Sequence, residues 1–157
     1  MEKDTYYLYP GYIFFSKEPY KIVTVLGSCV SICLWDKKNM FGGMNHYIYS
    51  DFRKTEGKGI SGSVAIPHLI KLMLDNGSKL ENLEASIVGG ASSEVLSSDV
   101  AVQNVKFARD SMENYRIKIN YVNTGGFKGR KITFDNYTGK VEVKFLKGNG
   151  KRVDEDE

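Results

Sequence analysis

The sequence predicts an α+β fold, an α/β sandwich of mostly antiparallel or mixed β-sheet with two main helices packed on it. Three observations carry that expectation. β-type runs crowd both ends of the chain while two amphipathic helical stretches occupy its middle. Successive β runs are joined by hairpin signals, the polar turn at 36–39 and Asp135-Asn136-Tyr137-Thr138-Gly139, where βαβ units would need crossovers. And 157 residues with 41% hydrophobic content suffice for one domain with a sizeable core. The domain is expected over residues 1–147, followed by a charged tail at 148–157 that is expected to be disordered.

Taken in order, residues 6–17 are aromatic and interrupted by Pro10-Gly11, which predicts an irregular strand and then a short one at 12–15. Residues 21–26 form a β run that reaches a Gly27-Ser28 step, delivers Cys29 and continues as an apolar run over 30–35. The chain turns at 36–39 and returns past Gly42-Gly43 to His46. Residues 50–63, rich in Gly, Ser, Lys and Thr, predict a loop, either a functional lid or a mobile connection. Ile66, Leu69, Ile70 and Met73 then make one helical stripe that ends at Gly77, with Pro67 fitting only the first turn and His68 on the surface. A buried strand over 85–88 ends in Gly89-Gly90. After a small-residue loop to Ser98, a helix capped by Asp99 sets Ala101, Val105, Ala108 and Met112 on one face. Three β runs follow, at 117–122, 131–134 and 140–146. The segment 125–130 before the second of them, Gly-Gly-Phe-Lys-Gly-Arg, reads from its residues alone as a glycine-permitted turn with solvated cations.

Several function classes are excluded or disfavoured. A net charge of +3 is too mild to argue for nucleic acid, and no basic helix or aromatic-basic RNA motif is present. GGASSEV lacks the G-x-G-x-x-G spacing and there is no P-loop string, which disfavours nucleotides. Cys, His and carboxylates nowhere cluster at metal-ligand spacing, so neither metal nor cofactor is expected. The N-terminus lacks the basic-then-apolar order of a signal peptide and no apolar run approaches about 18 residues, so a cytoplasmic location without membrane insertion is expected. Cys29 and Cys33 on one strand would lie roughly 13 Å apart, beyond disulfide reach. What remains is thiol chemistry. A hairpin centred on 36–39 folds the segment of His46 alongside that of Cys29, and an imidazole beside a thiol is the usual route to a thiolate near neutral pH. The plainer alternatives are a core-filling cysteine, which fits Cys33 better, and a structural histidine. Gly27-Ser28 before the thiol and Gly42-Gly43 before the imidazole leave room for backbone and substrate to approach, and favour Cys29 with His46.

The strings TVLGSCVSICLWD and FGGMNHYIY resemble the signature of the CheD family, the chemoreceptor glutamine deamidases of bacterial chemotaxis. IVGGASS, QNVKFAR and GGFKGRKITFDNYTGKV resemble the same family in the same order, so the likeness covers roughly residues 10–146. It implies an α/β sandwich similar to the catalytic domain of cytotoxic necrotizing toxins. It also implies a protein-glutamine deamidase needing no cofactor, with Cys29 as nucleophile and His46, seventeen positions later, as base. The family's third member is a threonine upstream of the cysteine. Val23 stands six before Cys29 and Thr24 is its neighbour, so Thr24 is implied with an offset of one, which matters on a strand unless a bulge absorbs it. The implied partners are methyl-accepting receptors, whose methylation regions are long Glu- and Gln-rich helices, and a CheC-type phosphatase. An acidic rod directs attention to two basic segments, Lys128, Arg130 and Lys131 in one and Lys54 and Lys58 in the other, either of which could border the Cys29 cleft. Two other readings stay open: a non-catalytic adaptor that keeps the Cys-His pair for recognition, and a different thiol hydrolase.

Overall fold

A computed structural model describes residues 3–51, 60–92, 98–147 and 152–153. Ten strands and two helices follow one another as β1 (Asp4–Tyr7), β2 (Ile13–Ser16), β3 (Tyr20–Leu26), β4 (Val30–Asp36), β5 (Phe41–Asn45), α1 (Gly62–Asp75), β6 (Leu83–Gly89), α2 (Ser98–Asn114), β7 (Lys118–Thr124), β8 (Arg130–Asp135), β9 (Val141–Lys147) and β10 (Arg152–Val153). They build two five-stranded sheets, one ordered β1-β3-β8-β9-β10 and the other β2-β5-β4-β6-β7. All neighbours are antiparallel except β1 with β3 and β6 with β7, so the sandwich is mixed, as the sequence predicts.

Strand alternation explains the layers. On β4, Val30, Ile32 and Leu34 face the helices and join Ala65, Leu69 and Met73 of α1 and Ala108 and Met112 of α2 in one core. Cys33 faces the other way. With Met44, Val88, Ile22, Leu26, Ile132 and Phe134 it fills the space between the sheets. Both helices therefore cover one face of one sheet, and β4 is buried on both of its faces, which is why its sequence is an almost unbroken apolar run. The segment broken by Pro10-Gly11 crosses between the sheets, β1 lying in one and β2 in the other.

Two details depart from expectation. Pro67 is the sixth residue of α1, because Gly62 and Ser63 donate their N–H groups to Tyr49 O and Ser50 O and start the helix early. Within the tail, Arg152 and Val153 pair with Lys147 and Leu146 as a short edge strand; the remainder lies outside the described residues. His68 is exposed, as expected.

Candidate active site

The hairpin of β4 and β5 turns at 37–40, where Asp36 Oδ1 accepts from Lys38 N and Asn39 N, 2.9 Å each. Its open end carries an isolated bridge, Val30 N to Tyr47 O at 3.2 Å and Tyr47 N to Val30 O at 3.0 Å. Val30 and Tyr47 face the helices. By alternation, Cys29 and His46, each one residue before a member of that bridge, face the space between the sheets. Cys33 shares that side, two pleats deeper, at 1% exposure. Cys29 at the mouth is half-buried, and both thiols are free.

From the opposing sheet comes Thr24. β3 pairs with β8 in unbroken register from Lys21↔Asp135 to Leu26↔Arg130, so no bulge intervenes. Ile22 and Leu26 fill the inter-sheet core and Thr24, between them, points the same way, whereas Val23, also buried, points to the opposite face of its sheet. Of the two, strand parity puts Thr24 on the face toward His46. Its Oγ1 lies 2.8 Å from His46 Nδ1 and 2.8 Å from Leu8 O. A carbonyl oxygen only accepts and a hydroxyl has one proton, so Thr24 donates to Leu8 O and must accept from His46 Nδ1–H. That settles the tautomer: the proton sits on Nδ1 and the lone pair on Nε2. His46 Nε2 and Ser31 Oγ are the two buried side-chain polar atoms without a hydrogen-bond partner among the described residues, so the imidazole keeps a bare, desolvated acceptor.

Burial sets the protonation of the pair. It pushes the Cys29 thiol up to about 11, partly opposed by the residue's own backbone N–H. It pushes His46 down to about 4. At pH 7 both are neutral. Before mutual attraction is counted, moving the proton across that gap of about seven pH units would cost on the order of 10 kcal/mol. Burial thus favours the neutral thiol and neutral imidazole over an ion pair.

Glycines shape the turn that presents the thiol. Gly89, at φ +119°, lies so close to it that a Cβ would stand 2.3 Å from Cys29 O, and Gly90 N donates to that oxygen at 2.9 Å. Ala91 N bonds Gly27 O at 2.9 Å. Among the described residues no backbone carbonyl accepts from the N–H groups of Ser28 or Cys29, and the Cys29 N–H is turned toward its own thiol.

The basic loop at 125–130 adjoins this turn: Gly125 N bonds Gly89 O at 3.1 Å and Ser92 N bonds Gly126 O at 2.8 Å. Within it Arg130 is 3% exposed. Its guanidinium is committed to Asn123 Oδ1, Lys128 O and Gly125 O and stacks 5.0 Å from the Phe145 ring, so it shapes the loop. Lys128 and Phe127 of this loop are exposed and Lys131 is half-buried. Lys54 and Lys58 lie outside the described residues.

Sequence reasoning missed Leu8, whose role is carried by its carbonyl, and Ser31, which faces the same interior. It also missed Asn104 on α2. The signal was there: Asn104 interrupts the apolar stripe of Ala101, Ala108 and Met112, and is itself 1% exposed.

The family described as CheD chemotactic sensory transduction matches residues 50–145. The chain is 36% identical to the probable chemoreceptor glutamine deamidase CheD of Trichlorobacter lovleyi over 94% of its own length and 91% of that protein's. It is 33% identical to the protein of the same description from Sulfurimonas denitrificans, over 93% and 97%.

The chain belongs to the CheD family.

The likeness to the first relative leaves out 6% of this chain, too little to exclude the stretch from Thr24 to His46. Thr24, Cys29 and His46 precede the residues matched by the family model but lie within the stretch aligned with this relative. No helix among the described residues is long and apolar enough to cross a membrane.

Proposed function

We propose that this CheD protein deamidates glutamine side chains of chemoreceptors to glutamate, with Cys29, His46 and Thr24 as its catalytic set. The observation that carries the reading is the chain Leu8 O, Thr24 Oγ1, His46 Nδ1, which leaves Nε2 bare on the sheet face that Cys29 shares, with no hydrogen bond yet between them. In the first step His46 Nε2 takes the thiol proton as Cys29 Sγ bonds to the side-chain amide carbon, and the carbonyl oxygen becomes an oxyanion held by the Ser28 and Cys29 N–H groups, each worth about 3 kcal/mol if aligned. His46 returns the proton to the departing nitrogen, which leaves as ammonia, and a thioester remains on Cys29. Water, deprotonated by the same Nε2, then attacks the thioester carbon. The C–S bond breaks, the thiol is reformed and the product is a carboxylate. Thr24 holds the ring throughout without touching substrate.

The substrate class follows from the names of the relatives, which are described as acting on chemoreceptors. Methyl-accepting receptor helices are the partners proposed here, reached from the cytoplasm, and a CheC-type phosphatase is a second partner in the same system. Exposed Lys128 supplies a positive field for an acidic helix. The test is to incubate the protein with a receptor cytoplasmic fragment and weigh the fragment. Deamidation adds about 1 Da per site and releases one ammonia (the amide NH₂ replaced by OH, by the chemistry of). Backbone cleavage would instead indicate a protease, and binding with unchanged mass an adaptor.

A further inference from the structure

Cys29 and His46 stand on chain segments that meet at a single two-residue bridge, beyond the regular ladder of β4 and β5. Each segment has anchors of its own, Gly90 N on Cys29 O and the Gly11 and Tyr12 backbone on His46, but none of these spans the two, and two hydrogen bonds at the frayed end of a hairpin are a weak device for fixing their spacing, because element ends open more readily than their centres. What spans them from outside the sheet is a side chain of α2. Asn104 Nδ2 donates to Ser28 O at 3.1 Å and to Ile48 O at 2.9 Å. Ser28 immediately precedes the thiol and Ile48 lies two residues beyond the imidazole. The primary amide has two N–H groups and both are used, one on each segment. The backbone of the same residue closes the loop, since Tyr47 Oη donates to Asn104 O at 2.5 Å. Ala101 and Ala108, one turn to either side, are fully buried, so Asn104 cannot swing without dragging α2.

We propose that Asn104 is a positioning residue for the reaction: a clamp on α2 that fixes the spacing between the Cys29 turn and the His46 strand. The inference rests on the deamidase reading for its kinetic consequence, but the spacing it describes can be measured without turnover. A displacement of about 1 Å at a reacting pair costs up to about 100-fold in rate. The clamp holds reacting groups and not substrate, so its loss falls on kcat and spares KM.

Asn136 provides the control. It too is fully buried and its Nδ2 bridges carbonyls, those of Ser16, Glu18 and Gly42, but it does so near the start of β3, at the opposite end of that strand from the Cys29 turn. Asn104→Leu and Asn136→Leu should therefore cost comparable stability and differ in function. At a temperature where both remain folded, the expected result for Asn104→Leu is a kcat about 100-fold lower with KM within twofold, and for Asn136→Leu a kcat within twofold of wild type. Alkylation of Cys29 by iodoacetamide across pH supplies the readout that needs no substrate. Releasing the turn relieves burial, so in Asn104→Leu the alkylation profile should shift to lower pH, while Asn136→Leu superimposes on wild type. A profile unchanged in Asn104→Leu, or equal kinetic losses in the two variants, overturns the clamp. Absence of any deamidation by the wild-type protein overturns the proposed function instead, and the alkylation profiles then decide the clamp by themselves.

Discussion

The fate of one hydroxyl proton decides how the imidazole works. Thr24 spends its proton on Leu8 O and can offer His46 only a lone pair, which places the imidazole proton on Nδ1. Thr24→Val should lose the acceptor that fixes the tautomer, lowering kcat by about 100-fold and leaving the buried Nδ1 without a hydrogen-bond partner at a cost of about 1 to 3 kcal/mol. Thr24→Ser should retain most activity. The ¹⁵N shifts of His46 report the tautomer directly, and an Nε2–H form in the wild type would refute the relay. The same residue sets a pH dependence. The unfolded imidazole binds a proton below about 6.5, whereas in the folded protein it does so only near 4. The folded state is therefore fully stabilised above pH 6.5 and loses about 3 kcal/mol as pH falls from there to 4. Urea midpoints for the wild type should fall through that window and those for His46→Asn should fall less. Cys29 and His46 stand out in the sequence because nucleophile and base are residue types with few substitutes, whereas Thr24 enters only through the resemblance to the CheD family. Asn104 and the Leu8 carbonyl do not stand out, since one acts by bridging backbone oxygens and the other has no side-chain signature at all.

At the scale of elements, the turn that presents the thiol depends on its glycine neighbours in β6. Gly89 has a left-handed φ and its absent Cβ would collide with Cys29 O. Gly89→Ala should destabilise the fold by about 3 kcal/mol and displace the thiol, so that residual folded protein deamidates poorly; thermal melts and turnover at low temperature separate the two effects. The hairpins were legible because turn chemistry is local, as the Asp36 and Asp135 caps illustrate. The place of Pro67 was not. Helix signals begin near Ser63 and the helix begins at Gly62, where Tyr49 O and Ser50 O accept from Gly62 and Ser63, so Pro67 falls beyond the first turn that it was expected to occupy, a preference set by tertiary contacts.

At the scale of the molecule, two sheets meet at one mouth, with Thr24 from one and Cys29 and His46 from the other. Which strand joins which sheet was not legible. β1 and β2 are six residues apart yet belong to different sheets, and β1 and β7 pair in parallel with partners that periodicity cannot identify. The charge around that mouth leads to a further expectation. Exposed cations act on encounter and are screened beyond about 8 Å at physiological salt, so Lys128→Gln should lower kcat/KM at low salt, leave kcat unchanged and flatten the salt dependence. An unchanged salt dependence would reduce the 125–130 loop to a structural turn.

In the proposed reaction Cys29, and not the second thiol four residues along the same strand face, attacks the glutamine with His46 as its base. Ammonia release from a receptor fragment by Cys29→Ala, His46→Ala and Cys33→Ala separates the two thiols. No detectable release is expected from the first two and a rate within about twofold of wild type from the third, since core changes away from the reacting atoms cost stability more than chemistry. Retained activity in Cys29→Ala, or equal loss in Cys33→Ala, would contradict it.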